Sequence, residues 1–244
     1  MRYLVTLFGD ESQAPQPGTP EFDAEMAEYM AFGERAGSAI LAGEALQPSA
    51  TAATVRPGVG DPLVTAGPFT ETTEVIGGYY VLETDTLDDA IELGRHIPAA
   101  RGGWIEIRPL VLWTDRGREA GHEGGLPDGK DRYVALLYGK ETAADVPDTP
   151  EWEEGAAAHR RFVEWAGDDI QGGGALRPAA TTTTLRVRDS DVLVTDGPYS
   201  EAAEVVGGMY VFAPVTRDRA VELAARIPVN PGGAIHLHPV WELG

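Results

Sequence analysis

Apolar and polar residues alternate over positions 2–8, Arg-Tyr-Leu-Val-Thr-Leu-Phe, a pattern that predicts a β-strand. After a Pro/Gly-rich loop, Thr19 stands before Pro20 and Glu21, the start signals of a helix. Along 21–36 the apolar positions Phe22, Met26, Tyr29, Phe32 and Ala36 fall at helical spacing. Residues 39–46 and 50–56 read as short strands, and Pro57-Gly58-Val59-Gly60-Asp61 turns the chain into Leu63-Val64-Thr65. Val75 to Glu83 predicts a strand entered through Gly77-Gly78. Thr86 is placed to cap a second helix, with Asp88 and Asp89 in its first turn. Leu87, Ala90, Ile91 and Leu93 form that helix's inner face, Ile97-Pro98 ends it, and Trp104 to Leu112 is a last strand.

The whole pattern then recurs at an offset of 130. Arg2-Tyr3 meets Arg132-Tyr133, Thr19-Pro20-Glu21 meets Thr149-Pro150-Glu151, and Gly67-Pro68-Phe69 meets Gly197-Pro198-Tyr199. Gly77-Gly78 meets Gly207-Gly208, and Ile97-Pro98 meets Ile227-Pro228. No gap is needed, and about four positions in ten are identical, which chance does not produce. The expected domains are 1–113 and 132–244, with 114–131 as a polar linker that Gly124-Gly125 would make easy to cut. Each copy runs β-α-β…β-α-β, the order of a ferredoxin-like α+β domain. Helices covering one face of each sheet leave the other face needing a partner. The fold expected is therefore two tandem domains packed sheet to sheet as an internal pseudo-dimer.

Composition narrows what such a chain can do. A 43% hydrophobic share supplies two ordinary cores. With no cysteine there is no disulfide, thiolate ligand or thiol nucleophile. No apolar run approaches a membrane span, and the first residues read as a strand rather than a signal peptide, so the expected location is cytoplasmic, with no membrane partner. Thirty-nine acidic against 19 basic residues give a net charge of −20, which opposes nucleic-acid binding. The expected partner is a small molecule, and the expected assembly a monomer or homodimer.

The second copy carries Asp196-Gly197-Pro198-Tyr199 with Glu201, Gly207-Gly208-Met209-Tyr210, and a closing strand that ends Pro239-Val240. The first carries Gly67-Pro68-Phe69, Glu71, Gly77-Gly78-Tyr79-Tyr80 and Glu106-Ile107-Arg108-Pro109-Leu110. Taken together these motifs resemble the YCII-related family in its DGPF branch, over nearly all of both copies. The resemblance implies a dimeric α+β barrel and a helix-1 histidine coupled to an aspartate as acid and base. His159 matches that histidine, where the first copy has Tyr29, and Asp196 is the candidate aspartate, where the first copy has Ala66. The lysine often found after the DGPF motif is replaced by Thr73 and Ala203, which removes any role for it.

Beside the resemblance, the residues make their own case. The stripe Trp152, Ala156, His159, Val163 and Ala166 is apolar except at His159, so its imidazole belongs partly inside, either as a satisfied core group or as a base titrating near neutrality. His236 and His238 lie on one face of a strand, opposite Ile235 and Leu237, where the first copy has Glu106 and Arg108. A His-x-His strand with a third histidine also suits a metal, although a polar acid–base pocket without cofactor is the expectation preferred. Asp196 either caps its turn or orients a base. The reading is a cofactor-independent isomerase or lyase, with His159, Asp196, His236 and His238 as catalytic groups and Tyr199 and Tyr210 binding substrate. A non-catalytic ligand-binding or protein-interaction module is the alternative. The divergence at Tyr29/His159, Ala66/Asp196 and Glu106-Arg108/His236-His238 points to the second copy as the working one.

Overall fold

A computed structural model describes residues 1–58, 60–67, 74–116, 126–142, 145–189, 191–199 and 204–242. Pro68, Phe69, Glu71, Glu201 and the Gly124-Gly125 pair fall outside these residues. The first repeat builds β1 (Arg2–Asp10), α1 (Pro20–Ala36), β2 (Ile40–Ala45), β3 (Ala53–Arg56), β4 (Leu63–Ala66), β5 (Glu74–Glu83), α2 (Leu87–Gly94), α3 (Ala99–Gly102) and β6 (Trp104–Asp115). The second builds β7 (Asp131–Gly139), α4 (Pro150–Ala166), β8 (Ile170–Leu176), β9 (Thr183–Arg188), β10 (Asp191–Asp196), β11 (Val205–Val215), α5 (Arg217–Arg226) and β12 (Ala234–Pro239). The class is α+β, with antiparallel pairing throughout the strand registers described below. No helix among the described residues is long and apolar enough to cross a membrane.

Capping chemistry sets the helix starts. Thr19 Oγ1 accepts from the Phe22 N–H at 3.3 Å, and Thr149 Oγ1 accepts from the Trp152 N–H at 3.2 Å, each before a proline that has no N–H to lose. Thr86 and Asp89 close a reciprocal capping box at α2. The first repeat's second helix differs from the expected single element. It stops at Gly94 and a separate turn of helix follows at Ala99–Gly102, whereas α5 runs unbroken for ten residues. Strand β6 runs on to Asp115 and so takes Thr114 and Asp115 from the expected linker.

The chain folds into two compact units whose borders are not those of the repeats. The first contains Met1–Ala45, Glu71–Leu110 and Ala180–Ser200, and the second contains Leu46–Thr70, Val111–Ala179 and Glu201–Gly244. Within the first, the strand order is β2-β5-β1-β6-β9-β10. Its first four strands have the ferredoxin-like order, and the hairpin β9–β10 comes from the other repeat. Within the second, the order is β8-β11-β7-β12-β3-β4, and here the added hairpin is the first repeat's β3–β4. The hairpins are thus exchanged between repeats.

Each unit buries one face of its sheet under helices. In the first, Tyr3, Val5, Phe32, Leu82, Ile105 and Leu185 pack into one core. In the second, Ala135, Phe162, Tyr210, Phe212, Leu223 and Leu237 do so. A glycine locks each hairpin. Gly67 and Gly197 take φ of +82° and +88°, which L side chains rarely adopt, and their carbonyls accept from Thr54 Oγ1 at 3.0 Å and Thr184 Oγ1 at 2.7 Å. The turn closes the same way after Ala66 as after Asp196, so it does not depend on the carboxylate.

Candidate active site

The second unit holds a cavity of about 670 Å³ between α4 and the sheet strands β7, β8 and β11, with the tail of β6 as a further wall. Small residues open it. On α4, Gly155 and Ala156 stand where α1 has Glu25 and Met26, and on β8, Gly172 and Gly174 stand where β2 has Ala42 and Glu44. A Cβ on Gly173 would come within 2.8 Å of the Tyr210 ring, and one on Gly172 within 3.1 Å of the Thr114 carbonyl. Side chains there would displace the cavity's floor and side.

His159 and Tyr210 meet at this cavity. Thr149 starts α4 so that the stripe from Trp152 to Ala166 faces the sheet, and β11 brings Tyr210 beneath it. His159 Nδ1 lies 2.9 Å from the Tyr210 hydroxyl. The phenol ring is held edge-on against Phe162, with centroids 5.2 Å apart. Burial lowers the pKa of the half-buried imidazole and raises that of the phenol. Near pH 7 the pair is therefore a neutral histidine beside a protonated tyrosine. The corresponding residue in the first repeat, Tyr29, packs against that repeat's core and takes a backbone hydrogen bond at Ala99.

His236 and His238 do not join this pair. Tyr210 lies opposite Ala135, which lies opposite Leu237, so these three share the helix-covered face. His236 lies opposite Leu136, itself opposite Met209, and therefore belongs to the other face together with His238. The sheet itself separates the two histidines from His159. Both are buried; His236 stacks on Tyr138 at 4.1 Å and lies 6.4 Å from His238 between ring centroids. Burial and the charges of His238 and Arg56 push the His236 pKa down to about 4. Asp196 is exposed at the end of β10, opposite Thr183, in the first unit. Tyr199 also belongs to the first unit. Its ring lies 4.1 Å from Trp104, its hydroxyl accepts from Arg186 at 3.1 Å, and its N–H donates to Glu106 at 2.9 Å. It anchors that unit's hairpin. Among the described residues no cluster of histidine and carboxylate groups could hold a metal ion.

Residues not anticipated complete the cavity wall. Asp145 accepts from Thr142 N at 2.7 Å and Asn230 Nδ2 at 3.1 Å, and Glu141 accepts from Ala179 N. These bonds tie the segment between β7 and α4 to the rim. The signal that could have found the cavity was the loss of bulk at Gly155, Ala156, Gly172 and Gly174 in the gapless alignment.

Both repeats match the YCII-related domain, over residues 1–114 and 132–244. The chain belongs to the YCII-related family. A similar family-sized relative is the uncharacterized protein R00369 of Rhizobium meliloti (strain 1021), 32% identical over 117 residues, which cover 46% of this chain and 94% of the relative. Among solved structures, a putative chlorite dismutase, TA0507, aligns over 99% of this chain and 94% of its own, at 10% identity and a TM-score of 0.44. An anthrone oxidase-like protein aligns over 99% and 91%, at 12% identity and a TM-score of 0.37. One YCII-related domain of this chain thus corresponds in length to nearly all of the R00369 protein.

Proposed function

We propose that the second unit is a cofactor-independent acid–base enzyme, of isomerase or lyase type, acting on a small molecule held in the cavity. The observation that carries this is the 2.9 Å contact between a neutral, half-buried imidazole and a protonated phenol in a cavity of ligand size. In the tautomer protonated at Nδ1, His159 donates to the Tyr210 oxygen. That leaves the Nε2 lone pair to take a proton, and leaves the Tyr210 O–H to donate to a substrate oxygen. A base beside a hydrogen-bond donor suits removal of a proton next to a carbonyl: the C–H pair moves into the enolate, the proton to Nε2, and Tyr210 stabilises the developing oxyanion. Return of the proton to a different carbon is isomerisation, and departure of a β-substituent is elimination.

Asp196, His236, His238 and Tyr199 have no part in this scheme, and Tyr210 moves from binding residue to catalytic partner. The test is proton exchange in D2O with a set of carbonyl compounds, followed by proton NMR. Wild type should wash out an α-proton signal, and His159→Gln should slow this by about 10²-fold or more. Equal rates for the two proteins would contradict the scheme. A compound that binds at His159 without exchange would favour a ligand-binding module instead.

A further inference from the structure

We propose that Asp145 determines specificity in the cavity: its Oδ1 accepts a hydrogen bond from a hydroxyl group on a neutral carbonyl substrate. The inference rests on the acid–base reading of His159 and Tyr210. In the 130-residue alignment Asp145 and Asn230 stand where the first repeat has Pro15 and Ala100. Both changes fall in the repeat that carries His159, and both side chains line its cavity. They meet there, Asn230 Nδ2 donating to Asp145 Oδ2 at 3.1 Å. The Thr142 N–H and hydroxyl donate to the same oxygen at 2.7 and 3.0 Å.

Holding this segment does not by itself call for a carboxylate at 145. In the first repeat the matching Ser12 is held by Asp10, at the end of β1. Asp10 Oδ1 accepts from the Ser12 N–H at 2.9 Å and from its hydroxyl at 2.7 Å. The second repeat has Lys140 in place of Asp10 and moves the carboxylate to 145, where it also lines the cavity. Three donors on Oδ2 fix the orientation of that carboxylate. Oδ1 takes no hydrogen bond among the described residues and lies beside Gly207, another lining residue. A Cβ on Gly207 would sit 3.7 Å from Oδ1 and, beyond the adjoining residues, meet nothing else within 4 Å. An acceptor held over a bare glycine is matched by a donor on the ligand.

Charge decides which donor. The lining sets Arg116, Lys140 and Arg160 against Glu141, Asp145 and Glu164, three of each sign, so it carries no net charge to select an ion. An uncharged hydroxyl fits. Gly207 precedes Tyr210 by three residues on β11, roughly 10 Å of strand. Between them lies Gly208, opposite Leu137, and both line the cavity. The hydroxyl and the reacting carbonyl therefore belong at opposite ends of an apolar body.

The test uses the full chain and three ketones: 4-(4-hydroxyphenyl)butan-2-one, its methyl ether, and 4-phenylbutan-2-one. The imidazole NMR signal of His159, assigned by its loss in His159→Gln, reports binding in the cavity. The hydroxy ketone should perturb that signal at concentrations about tenfold lower than the other two, since a hydrogen bond to a charged acceptor is worth that much. Asp145→Asn keeps one oxygen for Thr142 and Asn230 but turns the other acceptor into a donor. It should bring the hydroxy ketone to within about twofold of the ether and the unsubstituted compound. Equal binding of the three ketones by wild type would overturn the proposal while leaving the His159–Tyr210 scheme intact. A preference that survives Asp145→Asn would also overturn it, as would a variant that weakens all three alike, since Asp145 would then only brace the segment. Tighter binding of the aminomethyl analogue than of the hydroxy ketone would overturn the assignment to a neutral donor. If no ketone moves the His159 signal, the proposal falls, and deuterium exchange with the wider set of carbonyl compounds still decides the acid–base reading.

Discussion

A histidine bonded at Nδ1 has one nitrogen left for chemistry, and what that nitrogen does depends on which partner holds the other. For His159 the partner is Tyr210, whose own burial keeps it protonated. Removing the hydroxyl by Tyr210→Phe should leave the fold intact and slow proton exchange by about tenfold or more, because the oxyanion loses its donor. The buried histidine His236 has a different consequence. Its folded-state pKa of about 4 lies below the ordinary 6.5, so the unfolded chain binds a proton first as pH falls. Its full contribution is present above pH 6.5 and is lost between 6.5 and 4, about 3 kcal/mol by the size of the shift. Denaturant melts from pH 7 to 4.5 should therefore show a shallower loss of stability in His236→Gln than in wild type. An unchanged slope would show that His236 is protonated in the fold. His238 and the Arg56 charge sharpen the effect by opposing that proton.

At the scale of elements, the exchanged hairpins carry the largest structural consequence. Strand β12 pairs with β3 of the other repeat through Ile235–Val55, His236–Thr54 and Leu237–Ala53, and β6 pairs with β9 through Ile105–Leu185. A second repeat expressed alone as 132–244 lacks β3 and leaves that edge open. It should elute as a dimer that supplies the missing hairpin from a second copy, and a stable monomeric fragment would contradict the exchange. A second element-scale test is Gly103→Ala. Its Cβ would lie 2.0 Å from the Phe8 carbonyl oxygen, so the substitution should destabilise the first unit by about 2 kcal/mol or more in denaturant melts. Hairpin exchange could not be read from the chain, because β3 and β9 carry the same strand pattern whichever repeat they pair with. The helix starts at Thr19, Thr86 and Thr149 were legible, because a cap is decided by a few neighbouring residues.

For the whole molecule, duplication was legible at every level, since 130-residue spacing keeps caps, glycines and core positions aligned. The inequality of the repeats was legible in part. His159 against Tyr29 was visible, but the expected convergence of His159 with His236 and His238 was not what folding produced. The alternation that put Ile235 and Leu237 under the helices also sent both histidines to the far face, while a histidine on α4 must stay on the helix side. Tyr210, reached across that face, is the partner the pattern of strands hid. The net charge of −20 also makes a whole-molecule prediction: fluorescence anisotropy at physiological salt should show no sub-micromolar, salt-sensitive affinity for DNA. The central claim, that His159 is a neutral base tied to Tyr210, is tested most directly by nitrogen-15 NMR of the His159 imidazole across pH. The account predicts titration below the ordinary 6.5, with one tautomer favoured and that preference lost in Tyr210→Phe. Titration at or above 6.5, with a tautomer balance unmoved by Tyr210→Phe, would contradict it.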